Sequence, residues 1–327
     1  MAMHERLRAL AAEARELWVP SSETVERRSC IGLDPHSFFR DFVARSVPVV
    51  LEDGMDEWAA RANWTSWTGL RSAVGDSTRV SVNYTPAGLG DHVEHGVFVK
   101  PERRVMEFAE FCRQLCEKDY SAGVPYLSEQ NDSLRLELPA LMADVIEPRF
   151  APAAFGAEAD AVNLWIGDEA STTVAHRDYY ENLYFMVSGS KQFTLLAPTD
   201  LALLERKWVQ QAQYEYDAAT SEWRTCFEPE SPRIPWITSD ITDAAALRVL
   251  APEAPAVRIT LRAGEMLYLP CNWVHAVQHV ASSAPTVAVN YWYSRPDYFI
   301  SPVHVLTDFV QQLALSPDVA PGGQSVY

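Results

Sequence analysis

Residues 182–196 read NLYFMVSGSKQFTLL and contain two short apolar runs separated by a turn signal. The runs are 182–187 and 192–196, and the residues between them include the turn-forming Ser188-Gly189-Ser190. Further short runs with apolar or aromatic alternation lie within residues 160–295, at 162–166, 257–261, 266–269, 274–280 and 286–293. Many short strands joined by regular turns predict a double-stranded β-helix, the jelly-roll or cupin kind of barrel.

Helical patterns flank this strand-rich region on both sides. Before it, apolar spacing predicts helices at 3–18, 36–44, 65–74, 105–117 and 136–145, with strands at 47–51 and 79–84. After it, Val303, Leu306, Val310 and Leu313 form one apolar stripe. We therefore predict a mainly β protein with N-terminal α/β elements (1–159), a central barrel (160–295) and a C-terminal helical tail (296–327). An apolar helix face must be covered, either by the barrel of the same chain, which suits most of this face, or by the same helix of a second copy. Because the stripe lies at the end of the chain, we predict a homodimer.

Residues 200–256 interrupt the strand pattern and leave two interpretations open. The aromatic and acidic segment YEYD at 214–217 could belong to a lid or wall beside a substrate. The same residues could equally form an irregular surface excursion.

Composition narrows the class of protein. The 327 residues are 48% hydrophobic and 22% charged, as in ordinary globular chains, and the net charge is −17. Such an acidic chain lacks the basic surface that supplies most nucleic-acid affinity, so we expect no nucleic-acid partner. No apolar run approaches the roughly 18 residues of a membrane helix, and the start lacks a signal-peptide core. With five scattered cysteines, these features favour reduced thiols and a cytoplasmic location, with a nuclear one also open.

The sequence His176-Arg177-Asp178 places an imidazole and a carboxylate two residues apart. On a strand, side chains with this spacing lie on the same face. His275, in another predicted strand, adds a second imidazole. Two histidines and one carboxylate bind non-haem Fe(II) and leave further positions open. An isolated H-x-D is more often an ordinary surface pair, so the motif gains weight only from the polar residues around it.

Those surrounding residues fit the binding of a keto acid to such a metal ion. Lys191 follows the turn, and its ammonium suits the far carboxylate of the acid. Thr173, three residues before His176, can donate a hydroxyl to the same group. Asn182 and Asn290 could point toward the metal from their strands. Each residue alone has a plainer interpretation, an exposed hairpin lysine or a strand-end cap, but their combination favours a site.

At this level of detail, residues 160–295 resemble the Jumonji-C family of Fe(II)- and 2-oxoglutarate-dependent oxygenases. The segments that carry the resemblance are 162–167 (VNLWIG), 176–184 (HRDYYENLY), 187–191 (VSGSK), 234–237 (IPWI), 262–270 (RAGEMLYLP) and 289–293 (VNYWY). Segments 38–43 (FFRDFV), 80–82 (VSV) and 85–86 (TP) extend it over the N-terminal half. The likeness therefore covers nearly the whole chain.

The resemblance implies Fe(II) as cofactor, 2-oxoglutarate as co-substrate and O2 as oxidant. The implied iron ligands are His176, Asp178 and His275. The implied anchors of the far carboxylate of 2-oxoglutarate are Lys191, Thr173 and Tyr126, and the implied pocket residues are Asn182, Tyr184 and Asn290. The chain departs at Tyr179 from the family member that it resembles most, which carries histidine directly after the H-x-D. This departure is expected to alter the approach to the iron and not the ligand set.

In the family that this chain resembles, protein hydroxylases carry H-x-D and histone demethylases mostly carry H-x-E, so Asp178 favours a hydroxylase. The likeness is greatest to lysyl hydroxylases. It implies (3S)-hydroxylation of a lysine in a protein partner such as a translation-associated GTPase, with succinate and CO2 as products. The alternatives are an asparaginyl, arginyl or small-molecule hydroxylase, a lysine demethylase, and a cupin-like binding protein without turnover. The last alternative leaves Lys191, Thr173 and Asn290 unexplained.

Overall fold

The computed structural model describes residues 5–6, 9, 12–13, 24–250 and 256–294. Most of the predicted helix at 3–18 and the whole apolar stripe at 303–313 lie outside the described residues. The helical tail and the homodimer therefore stay predictions. Within the described part of the chain, no helix is long and apolar enough to cross a membrane.

Strands make up most of the regular structure. In chain order they are β1 (Glu26–Ser29), β2 (Val49–Glu52), β3 (Arg79–Thr85), β4 (Leu89–Gly90), β5 (His92–Glu94), β6 (Val97–Lys100), β7 (Glu102–Glu107), β8 (Val124–Tyr126), β9 (Ala161–Gly167), β10 (Thr172–His176), β11 (Glu181–Ser188), β12 (Ser190–Leu196), β13 (Arg206–Asp217), β14 (Glu222–Phe227), β15 (Ile234–Ile237), β16 (Val257–Arg262), β17 (Met266–Leu269), β18 (Val274–His279) and β19 (Thr286–Tyr293).

The helices are short and lie mainly before the barrel. They are α1 (Pro35–Phe38), α2 (Ala60–Asn63), α3 (Trp67–Val74), α4 (Phe108–Glu117), α5 (Ser133–Leu136), α6 (Ala151–Phe155) and α7 (Ala244–Leu250). A π-helical segment, Phe39–Val43, continues α1, and 3-10 segments occupy Pro139–Asp144 and Pro198–Leu203.

Two sheets form the barrel. The larger has the strand order β1-β2-β17-β11-β19-β9, and the smaller has the order β16-β12-β18-β10-β4. Alternate side chains of both sheets meet in one apolar interior, which includes Trp165, Phe193, Leu195, Val277 and Ala288. This arrangement confirms the predicted mainly β, jelly-roll core.

The N-terminal elements cover the outer face of the larger sheet. Phe38 of α1 packs on Tyr268 with ring centroids 5.1 Å apart, and Trp58 stacks on Phe185 at 4.6 Å. Strand β2 pairs antiparallel with β17, with Val50 opposite Leu267, so the larger sheet includes N-terminal residues. Because both faces of this sheet are covered, all eight residues of β11 are buried.

Two predicted helices are wrong in extent. Residues 105–107 belong to β7, where Val105 pairs with Ser81 of β3, and α4 begins only at Phe108. The helix predicted at 136–145 is divided into α5 and a 3-10 segment that begins at Pro139. Proline has no N–H, and its ring clashes with the preceding helical turn, so it can begin a helix but not continue one.

Between Arg206 and Ile237 the insertion forms three regular, paired strands, so its interpretation as an irregular excursion is wrong. The long strand β13 pairs with β14 and β15, and it also pairs in parallel with β6 from the N-terminal half. Strand β5 continues this sheet, and β3, β7 and β8 form a further one beside it. Because β6 comes from the N-terminal half, this pairing joins the insertion to the N-terminal elements.

Candidate active site

The structure brings His176, Asp178 and His275 together at one end of the barrel interior. His176 ends β10 and lies directly opposite His275 of β18 in the antiparallel register. One ligand atom of each of the three residues lies within 4.8 Å of the others. Nε2 of each histidine is 3.7 Å from a carboxylate oxygen of Asp178.

The strand argument for Asp178 is wrong in one respect. Strand β10 ends at His176, so the carboxylate does not share a strand face with the imidazole. The turn after β10 carries Asp178 to the site instead, and the backbone N–H of Asn272 donates to its carbonyl oxygen over 2.8 Å. This bond ties the turn to the residues that precede His275.

Hydrogen bonds define the tautomer of both histidines. Nδ1 of His176 is 2.8 Å from the carbonyl oxygen of Val174, and Nδ1 of His275 is 3.0 Å from that of Trp273. A carbonyl oxygen only accepts, so each Nδ1 carries the proton and each Nε2 has a free lone pair. Burial lowers the pKa of His275 to about 4. Two neutral imidazole lone pairs and a carboxylate fit a divalent ion such as Fe(II).

Lys191 is an uncompensated cation inside the barrel. Its side chain is 0% exposed, and its Nζ donates to the hydroxyls of Tyr126 (2.9 Å) and Tyr184 (2.7 Å). No carboxylate of the described residues forms an ion pair with it. Burial lowers the pKa of Lys191 to about 7. The plainer interpretation, an exposed hairpin lysine, is thus wrong, because Lys191 is fully buried. A buried ammonium held only by phenols is stabilised by an anion that balances its charge.

The other predicted site residues lie around the same space. The hydroxyl of Thr173 hydrogen-bonds to that of Tyr126. Asn290 donates through Nδ2 to Oδ1 of Asn182 (3.2 Å) and accepts from Nε1 of Trp165 (2.7 Å). Asn290 lies within β19 and is 0% exposed, so it is no strand-end cap. Its hydrogen bond orients the side-chain amide of Asn182, which lines the pocket.

One pocket is lined both by the three candidate metal ligands and by Tyr126 and Tyr184, the two tyrosines that accept hydrogen bonds from Lys191. Its walls include Tyr126, Thr173, Asn182 and Tyr184 from the predicted set. Five further lining residues were missed by the sequence analysis: Gln130, Trp165, Phe193, Val277 and Trp292. Alternation along the strands indicates that Trp165, Phe193 and Val277 are inward-facing, but it does not tell which inward residues border a cavity.

A larger cavity, open to solvent, adjoins the pocket. The two share Tyr126, Gln130, Trp165 and Thr173. The larger cavity is lined by charged residues, among them Asp91, Glu129, Lys100 and Arg103, and by Gln213 of the insertion. A polar group of another molecule could therefore lie there while an adjacent carbon reaches the metal-binding end of the pocket.

Tyr179, directly after Asp178, lies at the surface. Its side chain is 52% exposed, and the guanidinium of Arg177 lies over its ring at 5.1 Å. The same guanidinium donates to the hydroxyl of Tyr179 over 3.1 Å. Tyr179 therefore shapes the surface beside Asp178 and is not part of the His-Asp-His group.

Comparison with known proteins gives a consistent result. The cupin-like domain family matches residues 35–298. The human bifunctional peptidase and (3S)-lysyl hydroxylase JMJD7 is 35% identical over 294 residues, which is 89% of this chain and 90% of that protein. The lysine-specific demethylase JMJ32 of Arabidopsis thaliana is 35% identical over 272 residues, 79% of each chain. JmjC domain-containing protein E of Dictyostelium discoideum is 29% identical over 315 residues, 87% of each chain.

Both the family match and these relatives cover most of the chain, and the matched region contains every residue of the pocket. The chain therefore belongs to the Jumonji-C family of cupin-like, 2-oxoglutarate-dependent oxygenases.

Proposed function

We propose that this protein is an Fe(II)- and 2-oxoglutarate-dependent lysyl hydroxylase that acts on a lysine of another protein. The observation that carries the proposal is the geometry of the pocket, with a His-Asp-His group at one end and a buried, unbalanced ammonium at the other. A keto acid with two carboxylates can satisfy both ends at once. The relative JMJD7, whose name includes (3S)-lysyl hydroxylase, supports the choice of reaction.

The chain's own residues hold the reactants. His176, Asp178 and His275 would bind Fe(II) through two Nε2 atoms and one carboxylate. Lys191, Tyr126 and Thr173 would bind the far carboxylate of 2-oxoglutarate. When bound, iron and 2-oxoglutarate supply the activation of O2 that oxidises a C–H bond, with succinate and CO2 as products.

The apolar walls of the pocket keep water away from this chemistry. Trp165 is 7% exposed and Phe193 is 1% exposed, and both border the pocket together with Val277. In a site that excludes water, the attraction between the Lys191 ammonium and a carboxylate is stronger than in solution. Asn182, oriented by Asn290, places an amide beside the metal-binding residues.

The adjoining cavity supports a cationic substrate. Among the basic residues on its walls, Lys100 pairs with Glu228 at 2.6 Å and Arg103 with Glu129 at 3.4 Å. Asp91 forms no ion pair with any residue that the structure describes, and burial raises the pKa of its carboxyl group. The ammonium of a substrate lysine beside Asp91 would balance the negative charge of its carboxylate.

Strand pairing places Asp91 near the metal-binding end. Leu89 and Gly90 of β4 pair in parallel with Thr172 and Thr173 of β10, and Asp91 directly follows this pair. The carboxyl group of Asp91 is close enough to His176 for the two side chains to interact electrostatically. An extended lysine spans about 5 Å from its β carbon to its nitrogen, given C–C bonds of about 1.5 Å. The β carbon can therefore lie at the metal while the ammonium lies near Asp91.

The second candidate function is lysine demethylation, which the name of the relative JMJ32 supports. In that reaction the N-methyl group has to reach the metal, so the ammonium that carries it would also lie at the metal and not near Asp91.

A translation-associated GTPase remains the proposed protein partner for the hydroxylase.

One mass-spectrometric assay separates these functions. The protein is incubated with Fe(II), 2-oxoglutarate, ascorbate and translation-associated GTPases or lysine and methyl-lysine peptides, with Asp178→Ala as the matched inactive variant. A lysyl hydroxylase adds one oxygen atom to a lysine, and a demethylase removes a methyl group. A peptidase, the other activity in the name of JMJD7, would instead cleave the protein or peptide into fragments. Demethylation without lysine oxidation, or oxidation confined to asparagine or arginine, would contradict the proposal.

A further inference from the structure

His279 is a buried polar side chain that the functions described so far do not use. It ends β18, it is 7% exposed, and neither ring nitrogen has a hydrogen-bond partner among the described residues. A neutral imidazole offers one N–H donor and one acceptor. Leaving both unpaired in the protein interior is costly, so the ring is expected to meet a polar partner in the working protein.

Strand periodicity places this ring on the inner face of the barrel. His275, Val277 and His279 alternate along β18, and the first two line the co-substrate pocket. In the antiparallel pairing of β12 with β18, His279 lies directly opposite Lys191. Side chains in directly opposite positions have Cβ atoms about 5 Å apart. His279 therefore lies beside the ammonium that awaits an anion.

Further contacts place His279 in the same cluster. Its ring meets the edge of the Tyr126 ring, with centroids 5.1 Å apart and planes at 80°. The hydroxyl of Tyr126 in turn accepts a hydrogen bond from Lys191. The imidazole thus borders two of the three residues assigned to the far carboxylate of 2-oxoglutarate.

The absence of a side chain at Gly167 makes room for the rings of His279 and Tyr126. A Cβ atom at this position would lie 2.9 Å from Cε1 of His279 and 2.7 Å from Cδ2 of Tyr126. Both distances are shorter than real Cβ contacts, so any larger residue would displace one of the rings.

The ring remains neutral beside the lysine. Burial first, and then the charge of Lys191, lowers the pKa of His279 well below its ordinary value. A neutral imidazole does not repel the ammonium, and it still has an N–H to donate.

We propose that His279 is an additional co-substrate-binding residue, whose ring N–H donates to the far carboxylate of 2-oxoglutarate alongside Lys191, Tyr126 and Thr173. A carboxylate has about four acceptor positions, so there is room for this donor. The inference rests on the proposed function of the pocket and adds a residue to it.

The test compares two substitutions by calorimetric titration of the Mn(II)-loaded protein. His279→Phe keeps a planar ring without a donor and should weaken 2-oxoglutarate binding about tenfold. His279→Gln restores an N–H donor and should stay within about threefold of the unchanged protein. His92→Phe, another part-buried histidine with an unpaired Nδ1 but outside the pocket, is the matched control and should change nothing. His279→Leu replaces the Phe variant if that variant does not fold.

A second ligand identifies the group that His279 contacts. 2-Oxovalerate has the length of 2-oxoglutarate but lacks its far carboxylate, so its binding should be equally weak in all these variants. Unchanged 2-oxoglutarate binding in His279→Phe, or equal weakening in the Phe and Gln variants, would overturn the inference. Failure of the pocket assignment itself would appear differently, because Lys191→Met would then leave 2-oxoglutarate binding unchanged.

Discussion

Replacing Lys191 with methionine should stabilise the ligand-free protein while it weakens co-substrate binding. Methionine preserves the length of the side chain and removes the charge. Lowering the pKa of Lys191 from 10.5 to about 7 corresponds to about 5 kcal/mol against the charged form in the folded state. Loss of the hydrogen bonds to the two phenols opposes this gain by about 2 kcal/mol. We expect the free energy of unfolding at pH 6 to rise by about 3 kcal/mol.

The gain should depend on pH with a definite sign. Below pH 7 both the folded and the unfolded protein carry a charged Lys191, so the whole penalty of burial is present. Between about pH 7 and pH 10.5 the folded protein releases the proton first, and its stability rises with pH. The advantage of the methionine variant is therefore largest at pH 6 and disappears by the upper end of this range.

The assay is urea unfolding in EDTA and without 2-oxoglutarate, followed by tryptophan fluorescence. Lys100→Met is the control, since that lysine is partly exposed and pairs with Glu228 at 2.6 Å. It should not stabilise the protein. If Lys191→Met proves no more stable than Lys100→Met at pH 6, the buried ammonium is already balanced, and the reasoning that it requires an anionic ligand fails.

Three further predictions address the metal ion, the co-substrate and the substrate. Asp178→Ala should abolish Mn(II) binding and 2-oxoglutarate turnover with an unchanged circular dichroism spectrum; retained decarboxylation would exclude Asp178 as a required ligand. Lys191 must be charged to bind a dianion, and its pKa is about 7. The affinity for 2-oxoglutarate at saturating Mn(II) should therefore fall about tenfold from pH 6 to pH 8. An affinity that calorimetry finds unchanged over this pH range would contradict the prediction. Asp91→Asn should raise the KM for a lysine peptide about tenfold and leave 2-oxoglutarate binding unchanged. A control peptide with norleucine in place of the lysine should bind equally to the unchanged protein and to the variant. If the variant still prefers the lysine peptide over the norleucine peptide as strongly as the unchanged protein does, Asp91 does not recognise the ammonium.

The local patterns of the sequence predicted the barrel and the three residues, two histidines and one aspartate, that the structure brings together. Alternation along short runs is a direct consequence of strand geometry, so the seven strands predicted after residue 160 are present with only small errors at their ends. Strand β10 and the three strands β13, β14 and β15 of the insertion were missed. The types and spacing of His176, Asp178 and His275 likewise indicated a metal site, because few donor combinations suit Fe(II). Helix ends were less predictable where β7 pairs with a distant strand, as at Val105.

Only the tertiary structure decided which of the remaining polar residues belong to the pocket and in what state. Lys191 looks like an ordinary hairpin lysine in sequence, and its burial results from strands β16 and β18 on either side of β12. His279 and Asp91 carried no signal at all, since their surroundings are formed by residues distant in sequence, such as Tyr126 for His279 and His176 for Asp91. Periodicity along a chain reports which face a side chain occupies. The dielectric and the partners that a side chain meets there depend on long-range pairing, which no local pattern contains.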